Sequence, residues 1–212
     1  MATQPNILVA IIHHGDKYLE YCEKLKTTFA GFDMCIPTVD LYGRKWAEVK
    51  KRVLENGYDS VFLICSDVRV VCGDVVGKIR QHAADRTVGS YGFGTINNFT
   101  FGWLGYDNAN LVKAVPFIEG YCFGVNRKVL ERTHMKSTYG YGIEVEIGCR
   151  AQQMGLQCLV DSEVCISHAY GKSYSDTKAS NEYRDFLVEN PDVASFLNSR
   201  NIPHPMKVPP RL

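Results

Sequence analysis

The segment that most constrains this chain is the run of residues 60–65, whose sequence is SVFLIC. A short and nearly unbroken apolar run is typical of a strand whose sheet is covered by helices on both faces. Ser66 and Asp67 follow directly, so a carboxylate is expected just beyond the carboxyl end of this strand. Open α/β sheets bind ligands at that edge, where an aspartate can hold a hard cation through oxygen. Asp67 fits equally well as a cap of the next helix or turn.

Two further apolar segments predict that this strand belongs to an α/β sheet. Residues 7–12 (ILVAII) are typical of a first buried strand, and residues 34–39 of a second strand that ends at Asp40. Apolar residues at helical spacing fill the intervals after both strands. This βαβαβ alternation with short connections predicts parallel strands and right-handed crossovers.

The later chain continues this alternation of helices and strands. Helices are predicted at residues 74–84, 127–133, 143–154 and 176–189, and strands at 88–93, 114–125, 156–160 and 163–166. Residues 89–106 are rich in glycine, asparagine and aromatic residues. Such a composition fits either an ordered binding loop or a twisted hairpin packed on the core.

Composition indicates a single globular domain and argues against several functional classes. The chain has 212 residues and a formal net charge of +1, so no basic surface is predicted for nucleic acid or an anionic membrane. No apolar run approaches the roughly 18 residues that span a bilayer. The first residues lack the features of a signal peptide, so a cytoplasmic protein is expected. Eight cysteines without a Cys-x-x-Cys pair are interpreted as reduced core residues.

Several common active-site motifs are absent from the sequence. No Gly-x-Gly-x-x-Gly follows the first predicted strand, which argues against a dinucleotide site. There is also no phosphate-binding P-loop and no serine nucleophile elbow. The polar residues at predicted strand ends and helix starts are therefore the candidates for chemistry, and they are Asp40, Asp67, Glu144, Glu146 and His168.

Four segments in a fixed order carry a resemblance to a known family. They are Cys65-Ser66-Asp67, residues 117–129 (FIEGYCFGVNRKV), residues 140–150 (GYGIEVEIGCR) and residues 164–168 (VCISH). Together they resemble the nucleotide-sugar glycosyltransferases of the GT-A fold, particularly the large inverting family and, within it, the N-terminal domains of large viral enzymes. The first segment is similar to that family's Asp-x-Asp motif, with Cys65 in place of the first aspartate. The similarity covers about residues 7–170.

The resemblance implies a GT-A α/β domain. Such a domain has a mostly parallel central sheet flanked by helices and a small antiparallel portion on the acceptor side. It would occupy residues 1–200, with a nucleotide-binding half at 1–67 and an acceptor and catalytic half at 68–200. Residues 201–212 hold four of the eight prolines, so they are interpreted as a tail that links to further catalytic domains.

The resemblance also implies a donor and a metal. A UDP-sugar would bind with Mn²⁺ (or Mg²⁺) held by Asp67 and His168, since a divalent cation offsets the charge of a departing diphosphate. His168 could otherwise be an ordinary hydrogen-bonded histidine, and Lys45 is an alternative to Arg44 as a phosphate contact. The residues implied at the donor are Ile12, His13, Asp40, Arg44, Ser66 and Asp67.

On the acceptor side, the resemblance implies a glycan or glycoprotein whose hydroxyl is deprotonated by Glu144. A carboxylate at a helix start can take that proton during attack on the sugar. Glu119, Gly120 and Tyr141 are the implied acceptor contacts. Alternatively, Glu144 and Glu146 only favour the helix dipole. A retaining transferase, a non-catalytic carbohydrate- or nucleotide-binding module and a nucleotidyltransferase remain as alternatives, and the sequence does not name the sugar.

Overall fold

The computed structural model describes residues 4–13, 16–39, 41–97, 99–109, 111–134, 140–169 and 176–204. The first part of the chain forms a parallel three-stranded unit. Its strands are β1 (Ile7–Ile12), β2 (Asp33–Cys35) and β3 (Ser60–Cys65), connected by the helices α1 (Leu19–Thr28) and α2 (Tyr42–Glu55). β1 lies between the other two strands and pairs in parallel with both. Every residue of β1 and β3 is buried, so the predicted βαβαβ unit is confirmed.

β2 is shorter than the sequence predicted. It ends at Cys35, whereas apolar residues continue to Val39. Pro37 follows two residues later and has no N–H to donate to a ladder, which explains why the pairing with β1 stops there.

The second part of the chain extends the same sheet and covers it with helices. Its elements are β4 (Val68–Cys72), α3 (Val75–Ala84), β5 (Val88–Thr95), β6 (Val112–Ala114), β7 (Cys122–Asn126), α4 (Arg127–Arg132), α5 (Ile143–Gln153), β8 (Gln157–His168), α6 (Asp176–Glu189) and α7 (Pro191–Ser199). The strand order is β2-β1-β3-β7-β5-β8-β4, and β6 also pairs with β8.

The strand directions confirm the predicted mixed sheet. Five strands run in one direction: β1, β2, β3, β5 and β8. β5 has the same direction as β3 because both pair antiparallel with β7, which lies between them, and β8 pairs in parallel with β5. β4, β6 and β7 run the opposite way. The sheet is therefore mostly parallel, with its antiparallel strands all from the second part of the chain.

Three features of the second part differ from the sequence prediction. The two strands predicted at residues 156–160 and 163–166 are one strand, β8, whose pairing with β5 jumps from Asp161 to Cys165 at a bulge. The predicted strand pair at 114–125 has ordered strand only at its two ends, in β6 and β7. α7 was not predicted. It begins at Pro191, which is well suited to the first position of a helix.

Two hydrophobic clusters hold these layers together. The larger one lies around the sheet and is built mainly from β1, β3, β5 and β7 with the helices that pack on them. The smaller one joins Phe117 and α5 to α6 and α7, and it includes Ile202. The fold thus extends past residue 200, because both Ile202 and His204 are buried.

Within the described residues, no helix combines the length and apolar character needed to cross a membrane.

We expect Gly124→Ala to destabilise the protein by about 1–3 kcal/mol or more. Gly124 lies in β7, and a Cβ at this position would overlap the ring of the fully buried Tyr91. Urea denaturation measures the effect as a lower midpoint. Gly102→Ala is the matched control, since its added methyl would meet no atom within 4 Å. Equal midpoints for the two variants would contradict this packing.

Candidate functional site

Asp67 and His168 come together at the carboxyl edge of the sheet, as the sequence predicted for a shared site. Asp67 sits in the turn between β3 and β4, and His168 is the last residue of β8. Antiparallel pairing of Val68 with His168 fixes the register, and the Asp67 carbonyl accepts a hydrogen bond from the Ala169 amide at 2.9 Å. As a result, His168 Nε2 lies 3.3 Å from Asp67 Oδ2.

The environment of this pair suits a cation. Asp67 is 4% exposed, and its second oxygen, Oδ1, is buried without a hydrogen-bond partner among the described residues. An unsatisfied buried carboxylate oxygen is costly unless a cation or donor reaches it. No group of three or more His, Cys, Asp or Glu side chains forms a self-contained metal site in the described ranges. One carboxylate and one imidazole would suit a divalent cation, to which this pair could supply two ligands.

Cys65 does not supply the missing charge of the first aspartate. The thiol is buried, and burial raises its pKa well above the ordinary value, with the nearby Asp67 carboxylate adding to the effect. Because the thiol stays protonated, it can act only as a weak donor, and it lies 4.0 Å from the Gly120 carbonyl oxygen. Asp67 is thus the charged residue of this motif.

The loop after β1 borders the same edge. The Ser66 amide donates to the Ile12 carbonyl at 2.8 Å, which ties the end of β3 to the end of β1. Ile12 and Ser66 are fully buried, so both lie beneath the surface of this edge, and their predicted contact with the donor stays a prediction. His13 is partly buried, and its Nδ1 has no hydrogen-bond partner in the described part of the chain. The predicted donor contact Asp40 lies outside the described residues.

Lys45, rather than Arg44, faces this edge. The Lys45 side chain is buried at 7% exposure, and its Nζ donates to the His13 carbonyl at 2.6 Å. Its positive charge also lies close enough to Cys65 to oppose the rise in that thiol's pKa. Arg44 is exposed on the outer side of α2. A buried ammonium between the ends of β1 and β3 is a suitable contact for phosphate.

The segment Glu119-Gly120-Tyr121 connects the Asp67–His168 pair with Glu144. The Tyr121 ring stacks on the His168 ring with centroids 4.4 Å apart, and a Cβ on Gly120 would lie 3.8 Å from Glu144 Oε2. The Tyr42 hydroxyl donates to the Gly120 carbonyl. These contacts place the predicted acceptor residues Glu119 and Gly120 between the two candidate reactive groups.

The surroundings of Glu144 change the pKa of its carboxyl group. Glu144 lies in the first turn of α5, two residues after the N-cap Gly142, and is partly buried. Burial raises the pKa of its carboxyl to about 7, and the nearby Glu119 carboxylate acts in the same direction. A carboxylate with a pKa near neutrality can accept a proton at the working pH of most enzymes.

The neighbouring carboxylates have structural partners. Glu119 Oε1 accepts the Thr100 and Phe101 amides at 2.6 and 3.1 Å, which anchors the aromatic loop that follows β5. Glu146 is fully buried and accepts the His134 amide at 2.7 Å. Glu146 thus anchors the chain after α4. Tyr141 precedes α5 and is partly buried, and its acceptor role stays a prediction.

Tyr42 and Tyr121 were not predicted as site residues from the sequence, and Lys45 was predicted only as an alternative to Arg44. Tyr42 can reach Gly120 because the residue beside its ring, Gly140, has no side chain. Gly140 has a φ of 96°, and a Cβ on Gly140 would overlap the Tyr42 ring. No spacing rule links residues so far apart. The helical period of α2 does distinguish Lys45 from Arg44, since Lys45 shares the buried face of Trp46 and Val49.

Comparison with known proteins gives a fold. No protein-family model matches the sequence, and no curated protein matches it. Among solved structures, the mannosyltransferase PcManGT from Pyrobaculum calidifontis, in complex with GDP-Man and Mn²⁺, matches with a TM-score of 0.60 and 12% identity, over 93% of this chain and 69% of that one. The chain has the GT-A fold.

Two further structures are similar. GalNAc-T7 with UDP, GalNAc and Mn²⁺ matches with a TM-score of 0.56 and 12% identity over 95% of this chain, which spans only 55% of that protein. A197 from STIV matches with a TM-score of 0.53 and 13% identity, over 78% of this chain and 86% of that one. Identities this low establish the fold alone, so the activity has to be argued from the residues of the site.

Proposed function

We propose that this chain is a metal-dependent glycosyltransferase that moves a hexose or deoxyhexose from a UDP-sugar to a hydroxyl of a glycan acceptor, with inversion. The observation that carries the proposal is the Asp67–His168 pair at the carboxyl edge of a GT-A sheet, with a buried Asp67 oxygen that has no hydrogen-bond partner among the residues that the structure describes. Two proteins with the same fold were solved with nucleotides or nucleotide-sugars and Mn²⁺, which supports a donor of this class.

The proposed donor site lies along the ends of β1 and β3. Asp67 and His168 would hold Mn²⁺ (or Mg²⁺), and the bound cation would neutralise charge on the diphosphate leaving group. Lys45 adds a second positive charge on the β1 side of this edge, and His13 and Asp40 are the proposed contacts of the nucleoside. Tyr121 keeps the His168 ring in one orientation by stacking on it.

The proposed transfer takes place between this edge and Glu144. The acceptor hydroxyl attacks the anomeric carbon from the face opposite the diphosphate, the bond from that carbon to the leaving oxygen breaks, and Glu144 accepts the hydroxyl proton. Glu119, Gly120 and Tyr141 would border the acceptor. The same proposal includes a glycan or glycoprotein acceptor, fusion to further catalytic domains, a relationship to viral enzymes and a cytoplasmic location.

We expect Lys45→Met to weaken binding of UDP with Mn²⁺ by about 10- to 100-fold, since a charged hydrogen bond to phosphate is lost. Isothermal titration calorimetry measures the effect. Lys51→Met is the matched control, because Lys51 lies on the exposed face of the same helix and pairs only loosely with Glu55, at 3.8 Å. Equal affinities for the two variants would remove Lys45 from the donor site.

A screen of UDP-, GDP- and dTDP-sugars for Mn²⁺-dependent release of nucleotide tests the proposed function. We expect UDP-sugars to be hydrolysed slowly without acceptor and faster with a glycan present. The anomeric configuration of the product, read by NMR, distinguishes inversion from retention.

The replacement of the first motif aspartate by the neutral Cys65 favours one rival, a non-catalytic binding module. Such a module would bind nucleotide but release none from any sugar donor. That result would overturn the proposed activity while leaving the binding site in place.

A further inference from the structure

Cys72 and Cys165 are directly opposite each other on neighbouring strands. They are register partners in the antiparallel pairing of β4 with β8, just after an irregularity between Val70 and Cys72, and Cys72 is close enough to add to the rise in the pKa of Cys165. Opposite residues on antiparallel strands have Cα atoms about 4.5–5.5 Å apart and side chains on the same face of the sheet. A disulfide requires Cα atoms about 4.4–6.8 Å apart, a range that includes the usual spacing of register partners such as these two.

The two thiols differ in access. Cys72 is exposed on the edge strand β4, whereas Cys165 and the other six cysteines are buried, which corrects the prediction that all eight are core residues. Burial raises the pKa of Cys165, so it is the less reactive member of the pair. Cys72 is therefore the thiol that a soluble oxidant meets first.

From this arrangement we infer that Cys72 and Cys165 form a reversible disulfide site, with a small-molecule disulfide such as glutathione disulfide as the oxidant. The Cys72 thiolate attacks one sulfur of the oxidant, which forms a mixed disulfide and releases one glutathione thiolate. The Cys165 thiolate then attacks the Cys72 sulfur of the mixed disulfide and releases the second glutathione. The two protein thiols lose two electrons and two protons, and the oxidant is reduced to two thiols.

The location gives the bond a structural consequence. β4 begins directly after Asp67, and β8 ends at His168, so the disulfide would fix the ladder that holds these two residues side by side. It would also close a segment of roughly 90 residues, and long closed loops restrict the unfolded chain most. Any effect on nucleotide binding rests on the proposed function, but formation of the bond and its effect on stability do not.

Mass spectrometry of the full chain tests the inference. The protein is equilibrated with graded mixtures of reduced and oxidised glutathione, blocked with N-ethylmaleimide and digested without reduction. Trypsin with a glutamate-specific protease separates Cys165 from Cys158, because Glu163 lies between them. We expect residues 70–78 linked to residues 164–172, and loss of the linked species after treatment with dithiothreitol.

Thermal unfolding of the same samples gives a second measurement. We expect oxidation to raise the Tm by about 5–15 °C, from the usual stabilisation by one disulfide in a domain of this size. Cys72→Ser, at an exposed position, should show neither the linked peptides nor the shift. Cys149→Ala, at a buried position remote from the pair, should show both. The inference is overturned if Cys72 is recovered only as a glutathione adduct or as a link between two chains, or if oxidation lowers the Tm.

Discussion

Asp67→Asn is expected to lower the Mn²⁺-dependent release of nucleotide from a UDP-sugar by at least about 100-fold. Substitutions of residues that only support metal ligands already cost about 10- to 100-fold, so the loss of a direct ligand should cost no less. The amide keeps the size of the side chain and its contact with His168 but removes the negative charge at the buried oxygen, which has no hydrogen-bond partner in the described part of the chain. Calorimetry should show that Mn²⁺ no longer strengthens the binding of UDP.

A second buried carboxylate provides the control for this substitution. Asp161 is fully buried and lies 2.8 Å from His82 Nε2 and 3.3 Å from Lys78 Nζ, on the part of β8 remote from His168. Asp161→Asn should therefore destabilise the protein, since it weakens a buried ion pair. The response of UDP binding to Mn²⁺ should stay that of the wild type. Full metal-dependent turnover in Asp67→Asn would remove the proposed cation site.

The sheet could be predicted from the sequence where hydrophobic patterning acts alone. β1 and β3 are buried over their full length, and continuous apolar runs of that kind have few other interpretations. β4 was missed because its residues after Val68 are half-buried or exposed, and a strand at the edge of a sheet carries little apolar signal. Its pairing with β8 joins residues about one hundred positions apart, which no local pattern records.

The site could be predicted in part. Asp67 and His168 were found because both end segments that resemble family motifs, and the pairing of Val68 with His168 then brings them into contact. Tyr121 lies in the middle of a resembling segment, but its stacking on His168 depends on the position of β7 between β3 and β5. Contacts of this kind are set by tertiary packing rather than by spacing along the chain.

Glu144→Gln is expected to retain the binding of UDP with Mn²⁺ and to lower sugar transfer by about 100- to 10,000-fold, the usual contribution of a general base. Glutamine has the same shape but cannot accept the proton of the acceptor hydroxyl. Binding measured by calorimetry and transfer measured by product formation should therefore respond differently. A parallel loss of both would show that Glu144 positions the donor instead.

The pH dependence of the wild type supplies an independent check. Since the base must be deprotonated and its pKa lies at about 7, kcat/KM should rise with pH up to about 7 and level off above it. At pH 6 only about a tenth of the molecules would carry the ionised base. The residual transfer by Glu144→Gln should not show this pH transition. If the transition persisted in the variant, the group that titrates would be a residue other than Glu144.

The raised pKa also predicts an effect on stability. The folded protein binds the Glu144 proton more tightly than the unfolded chain does, so the contribution of this group to the free energy of unfolding falls as pH rises from about 4.5 to 7. Glu144→Gln removes that loss, and its Tm at pH 8 should equal or exceed that of the wild type.

Glu146→Gln is the contrasting variant, because this buried carboxylate accepts the His134 amide and lies 3.7 Å from the Arg150 guanidinium. It should lose about 1–3 kcal/mol of stability and keep the pH profile of transfer. If Glu146→Gln instead abolished the transition near pH 7, the base would be Glu146 and the assignment of Glu144 would be wrong.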